Sequence, residues 1–195
     1  MPHRNGRTRG FTLIELAIVL GVMGAIIAAV WTAASRATEA QKQNTAVEEL
    51  QTVAQNIFAI MEGRTFSITG NITSSMISSQ AIPSAFLDPS SPTTKAINPW
   101  AGALDVYEES PTVFRVSFYD VSYGGCLKVL LEGTACEAGH SGCPTKVWTD
   151  RAAYSQSPSA TVGWAVMNAS VAATLCGRNS YSGGNNSVEF DYSLQ

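Results

Sequence analysis

The feature that most constrains this chain is an apolar run close to its start. Residues 11–34 form a stretch of 24 in which the only ionisable side chain is Glu15. As a helix rising 1.5 Å per residue, such a stretch crosses the ~30 Å hydrocarbon layer of a bilayer. A carboxylate in a span costs roughly 2.5 to 3.5 kcal/mol at the bilayer centre and less near its end, so Glu15 calls for neutralisation or a partner. The residues ahead of the run include Arg4, Arg7 and Arg9 and no acid. The positive-inside rule keeps that end cytoplasmic and sends the rest of the chain across.

A secretory signal places its cleavage site after the apolar region, at a junction of small residues. Here Gly10 stands before the run, so a cut after it leaves the apolar helix on the mature chain. The sequence Gly10-Phe11-Thr12-Leu13-Ile14-Glu15 resembles the class III leader junction of type IV prepilins and the related pseudopilins. The resemblance implies cleavage between Gly10 and Phe11 by a membrane-embedded prepilin peptidase, and N-methylation at Phe11. A free amine at Phe11 and the Glu15 carboxylate carry opposite charges, and staggered neighbouring helices would pair them away from water. The plainer readings are a carboxylate snorkelling at a helix end and a chance Gly before a signal anchor.

The chain has 195 residues, room for one soluble domain on a membrane helix. Without the three leader arginines, nine basic residues face fifteen acidic ones. That balance argues against general nucleic-acid binding, which needs a basic surface. The four cysteines, Cys126, Cys136, Cys143 and Cys176, all fall in the exported C-terminal part. An oxidising compartment makes two disulfides the default, with three possible connectivities. Cys136 and Cys143 are close enough for a local loop, which leaves Cys126 with Cys176.

The helix is expected to continue past the membrane. Residues 37–61 hold neither Pro nor Gly, and Val47, Leu50, Ala54, Ile57 and Met61 recur at spacings of three and four, one buried helical face. Glu39, Lys42, Glu48, Glu49 and Gln51 supply the polar remainder, and Gly63 is the stop signal. A Ser-, Thr-, Pro- and Gly-rich connection follows, with a short helix over 73–80. Asn98-Pro99-Trp100-Ala101-Gly102 is a turn signal containing a large aromatic. Residues 104–107 and 113–119 read as strands joined at Glu109-Ser110-Pro111. Asp120 or Ser122 caps a helix to about Glu132, ended by Gly133. Residues 145–148 form a strand, residues 170–176 a helix after Asn168, and the alternation of Val188, Phe190 and Tyr192 with Glu189 and Asp191 a half-buried terminal strand.

The Asn-Pro-Trp-Ala-Gly turn, and a strand leading to a helix that bears Cys126, are similar to type IVb pilins such as the toxin-coregulated and conjugative thin-pilus subunits. That similarity implies that Cys126 pairs with a cysteine near the C-terminus. Phe11 and the short leader are more usual in type IVa, and no Pro interrupts residues 16–61.

Three patterns invite chemistry and carry little. Gly139-His140-Ser141-Gly142-Cys143-Pro144 looks superficially like a protease nucleophile loop, but His140, the one His beyond the leader, adjoins Ser141 in sequence. A Ser nucleophile needs a separately held His base. Cys136, His140 and Cys143 with Cys126 or Cys176 would make a Cys3His zinc site, which an oxidising compartment disfavours. Three Asn-x-Ser/Thr triplets, at Asn71, Asn168 and Asn185, arise readily in a Ser- and Asn-rich chain.

The expected architecture is therefore α+β: a long N-terminal helix, membrane-spanning in its first half, on an antiparallel β-sheet head, a pilin-like ladle. Its parts are a leader (1–10), a span and filament-core helix (11–34), an amphipathic continuation (35–62) and a disulfide-bonded head (63–195). The implied function is structural, as a pilus subunit assembled with copies of itself through Glu15. No catalytic residue, metal or cofactor is expected. The family implies a prepilin peptidase, an assembly ATPase, a platform protein and a secretin as partners, and the acidic charge balance implies no nucleic acid. It places the chain in the inner membrane with a periplasmic head before assembly, and in an extracellular fimbrium after it. The rivals are a minor pilin or secretion pseudopilin, and a signal-anchored periplasmic enzyme or zinc-binding domain.

Overall fold

The computed structural model describes residues 12–67, 69–135, 142–149, 161–162, 167–177 and 186–194. Helix α1 (Leu13–Met61) runs unbroken for 49 residues. The chain separates into two compact units, Met1–Ala40 and Gln41–Gln195. In the first unit the described side chains up to Thr38 are all exposed.

The second unit is built on an antiparallel sheet. Its strands are β1 (Gly70–Asn71), β2 (Ala96–Ile97), β3 (Ala103–Ser110), β4 (Val113–Val121), β5 (Pro144–Thr149), β6 (Thr161–Val162) and β7 (Asn186–Ser193). The order is β1-β3-β4-β7-β5-β6, with β2 also paired to β3. The C-terminal strand β7 thus lies at the centre, between β4 and β5.

Because successive strand residues face opposite sides, Leu104 and Val106, Phe114, Val116 and Phe118, Val188, Phe190 and Tyr192, and Val147 share one face. All are buried, and Ala46, Leu50, Val53, Ala54 and Ile57 of α1 are buried in the same core. Phe58 of α1 makes edge contacts with Phe114 (ring centroids 5.3 Å) and Tyr192 (6.0 Å), which seats the helix on the sheet. Helix α3 (Tyr123–Gly133) lies on that side too: a Cβ at Gly133 would sit 2.8 Å from Leu50 Cδ2 and 3.0 Å from Phe190 Cζ. Gly133 is therefore the last helical residue rather than a stop beyond the helix, and close packing is what requires it.

The opposite face of the sheet is polar, and Arg115, Ser117, Glu189 and Asp191 on it are buried. Arg115 donates from Nε to Asp191 Oδ1 (2.5 Å), from Nη2 to Asp191 Oδ2 (3.2 Å) and from Nη1 to Glu189 Oε2 (3.2 Å). Glu109 adds a third carboxylate at 3.2 Å, Trp148 Nε1 donates to Asp191 at 2.8 Å, and the guanidinium stands 4.9 Å from the Trp148 ring centroid. Glu189 and Asp191, expected on the wet side of a half-buried strand, are only 2% and 4% exposed. One guanidinium shared across β3, β4 and β7 supplies the charge pairing that such burial needs.

Local signals explain the joints. Met61 is followed by Gly63 at φ +68°, the left-handed residue that ends helices. The Ser122 hydroxyl accepts from Gly125 N (3.1 Å) and caps α3, and Asn168 accepts from Ser170 N and Val171 N to cap α4 (Ala169–Cys176). The short helix expected over 73–80 is α2 (Thr73–Ser78), cut by Gln80 at φ 61°. The β3–β4 connection is Pro111-Thr112, since Ser110 pairs with Val113 and both strands extend further than expected. In the turn at residues 98–102, Asn98 Oδ1 accepts from Trp100 N (2.9 Å) and Gly102 N (3.2 Å), and Asn98 Nδ2 donates to Tyr119 O (2.6 Å). A Cβ on Gly102 would run into the Tyr119 carbonyl, and one on Gly125 into the Trp100 ring. The turn thereby clamps the start of β3 to the end of β4 and the first turn of α3.

Glu49 breaks the expected pattern. Read as part of the polar remainder of α1, it is 1% exposed, and neither carboxylate oxygen has a hydrogen-bond partner among the described residues. Its spacing to Ala46 and Val53 places it on the buried stripe. Desolvation pushes its pKa up to about 8.

Candidate functional site at the start of the helix

The candidate site is the first turn of α1 and the apolar segment behind it. Gly10 and Phe11, the proposed cleavage and methylation positions, lie outside the described residues. At Thr12 a short polar cluster opens the helix. Thr12 N donates to Glu15 Oε2 (2.8 Å), Thr12 Oγ1 donates to the same oxygen (2.9 Å), and Glu15 N donates to Thr12 Oγ1 (3.3 Å). Leu16 N closes the first helical turn on Thr12 O at 3.2 Å. This is a capping box, in which a hydroxyl residue and a Glu three positions on each satisfy the other's backbone N–H. The Thr-x-x-Glu spacing ahead of an apolar run announces it in the sequence. Thr12 carries no charge and stands out in neither the charge nor the hydropathy pattern from which Glu15 is expected to pair with another copy's amine.

Behind the box the helix offers only apolar surface. Leu13, Ile14, Leu16, Ile18, Val22, Ile26, Val30 and Trp31 are all more than half exposed. The hydroxyls near its far end are satisfied internally, Thr32 on Ala29 O (2.9 Å), Ser35 on Trp31 O (2.9 Å) and Thr38 on Ala34 O (3.0 Å). Such back-bonding lets hydroxyls sit at or near a bilayer without orphaned donors. By length and composition this helix is apolar enough to cross a membrane.

The remaining sequence candidates fall in the second unit. Cys126 of α3 and Cys176 of α4, 50 positions apart in sequence, form a disulfide with Cα atoms 5.9 Å apart. Cys143 is also disulfide-bonded, while Cys136, its expected partner, lies outside the described residues. Sulfurs held in disulfides are not thiolate ligands, so the Cys3His zinc alternative fails at Cys126, Cys143 and Cys176. His140 and Ser141 of the protease-like loop also lie outside the described residues. Of the glycosylation triplets, Asn71 accepts from Thr73 N and Asn168 caps α4, while Asn185 is not described.

A family described as the prokaryotic N-terminal methylation motif matches residues 5–31, the leader end, the junction and most of the apolar run. The chain carries that motif. No curated protein sequence matches significantly. Among solved structures, the chain is similar to TcpA, a type IV pilin from Vibrio cholerae El Tor biotype, with 11% identity and a TM-score of 0.48 over 78% of this chain and 99% of that one.

Proposed function

We propose that this chain is a structural, non-enzymatic subunit of a type IV pilus, most like the type IVb class. In this reading it is cleaved after Gly10, methylated at Phe11 and assembled through the first part of α1 into a surface filament for adhesion, conjugation or a related role. One coincidence carries the reading: the N-terminal methylation motif at residues 5–31 overlies a helix whose large side chains from Leu13 to Trp31 are unburied. A helix passing from lipid into a bundle of like helices keeps an apolar environment, so assembly need carry no large hydrophobic penalty. The implied partners are other copies of the chain, a prepilin peptidase, an assembly ATPase, a platform protein and a secretin. The chain waits in the inner membrane with a periplasmic head and ends in the extracellular filament.

The test is intact-mass and N-terminal sequencing of membrane and sheared surface fractions, with electron microscopy of the latter. The expected mature chain begins at a methylated Phe11 and is found in filaments, and Gly10→Val leaves an uncleaved membrane precursor. A chain that keeps Met1, or is cut beyond Ala34, would sink the proposal. Cleavage with only trace amounts in filaments would favour a minor pilin or secretion pseudopilin, which share the motif.

A further inference from the structure

We propose that Trp31 and Arg36 form a lipid-headgroup contact at the far end of the span, binding the phosphate and ester oxygens of anionic phospholipid and setting the depth at which the chain waits. This rests on the membrane-spanning part of the reading above. Between Glu15 and Arg36 no side chain is charged, and as helix the intervening residues cover about 30 Å, the thickness of the hydrocarbon layer. Arg36 therefore emerges at the interface opposite Glu15. Trp31, 74% exposed, is the last large apolar side chain before it, about 7.5 Å short of Arg36 along the helix axis. At that level an indole lies with its ring against acyl chains and its N–H toward the headgroups.

The chemistry of the partner follows from which donors are already used. The hydroxyls of Thr32, Ser35 and Thr38 donate to carbonyls of the helix itself. Trp31 Nε1 and the Arg36 guanidinium make no hydrogen bond or ion pair among the described residues, and both side chains are exposed. Neither group can accept; the indole has one N–H to give and the guanidinium five. Their counterpart is thus an acceptor at interface depth, negatively charged where Arg36 meets it. A phospholipid phosphate with its neighbouring ester carbonyls has that pattern in that position. The two contributions separate by substitution. Trp31→Phe keeps an apolar ring and loses the N–H, while Arg36→Lys keeps the charge that Arg36→Gln removes.

The experiment reconstitutes the full chain in vesicles of phosphatidylcholine and phosphatidylglycerol in equal parts. Trp31 emission is read as the difference between each chain and its Trp31→Phe counterpart. Bromines placed near the headgroup should quench this emission more than bromines at the chain end; the reverse order would overturn the inference. With the headgroup-side bromines carried on phosphatidylglycerol alone, quenching should exceed that with them on phosphatidylcholine alone, by an amount corresponding to about a fivefold local preference for the anionic lipid. Arg36→Lys should keep the preference and Arg36→Gln should bring it to parity, and added salt should weaken it. An equal preference in Arg36→Gln would also overturn the inference. Exchanging chloride for inorganic phosphate at constant ionic strength should change nothing; loss of the preference there would show a site for free anions and sink the lipid assignment. Wild type that resists alkaline carbonate extraction yet shows no preference overturns this inference and leaves the pilus reading standing. Wild type that is extracted overturns both.

Discussion

Replacing Glu49 should stabilise the head, and the gain should grow with pH. The carboxyl is 1% exposed with neither oxygen partnered among the described residues, and desolvation raises its pKa from 4.5 to about 8. The unfolded chain releases this proton near pH 4.5, the folded chain only near pH 8. Below pH 4.5 both states hold the proton and the shift costs nothing. Between the two values the unfolded state is favoured by 1.36 kcal/mol per pH unit, and above pH 8 the cost levels off. At pH 7 the penalty is about 3 kcal/mol. Glu49→Gln cannot titrate, so its stability relative to wild type should rise by about 3 kcal/mol between pH 5 and pH 8. Glu49→Met, which also removes the buried polar atoms, should follow the same slope from a higher starting point. The assay is guanidinium unfolding of the detergent-solubilised, disulfide-intact chain at several pH values, followed by near-ultraviolet circular dichroism. The other titrating groups are common to wild type and variant and cancel in the difference. Parallel pH profiles for wild type and Glu49→Gln would refute the reasoning, because they would mean that Glu49 ionises alike in both states.

Removing the Cys126–Cys176 bridge, as Cys126→Ala with Cys176→Ala, should cost about 4 kcal/mol for a closed loop of some fifty residues, seen as a lower guanidinium midpoint in oxidising buffer. Arg115→Leu strands Asp191 and Glu189 in a buried face and should cost roughly 3 to 5 kcal/mol; a near-neutral result by thermal melting would show that the carboxylates find water. Gly125→Ala should destabilise by about 1 to 3 kcal/mol through the clash with Trp100, and Trp100→Leu in the same chain should recover part of that loss. Glu15→Val makes the span more apolar, so membrane abundance should hold while filament yield falls; normal filaments from correctly processed Glu15→Val would remove the charge-pairing role.

The readable part of this chain is the part in which local physics decides. An unbroken apolar run with one acid, then a 3.6-residue stripe without Pro or Gly, specifies a helix before any tertiary contact forms, and α1 runs from Leu13 to Met61 as that pattern requires. Ser122 and Asn168 cap helices because their side chains bond the very next turn. Strands β3, β4 and β7 follow from alternation, and the Thr-x-x-Glu box was legible at the level of spacing alone. Whatever depends on which strands become neighbours was not. The central place of β7 brings Asp191 and Glu189 to Arg115 across more than seventy residues, which turns apparent surface acids into a buried network. The short strands β1, β2 and β6 have no pattern of their own and exist because a longer strand offers its edge. Gly133 and Gly125 mark places where Leu50, Phe190 and Trp100 come too close for a side chain, a fact about three-dimensional packing that composition cannot carry. Glu49 shows the division most clearly: helical spacing puts it on the buried stripe, but only the tertiary packing against that stripe takes its carboxylate out of water and moves its proton toward neutral pH.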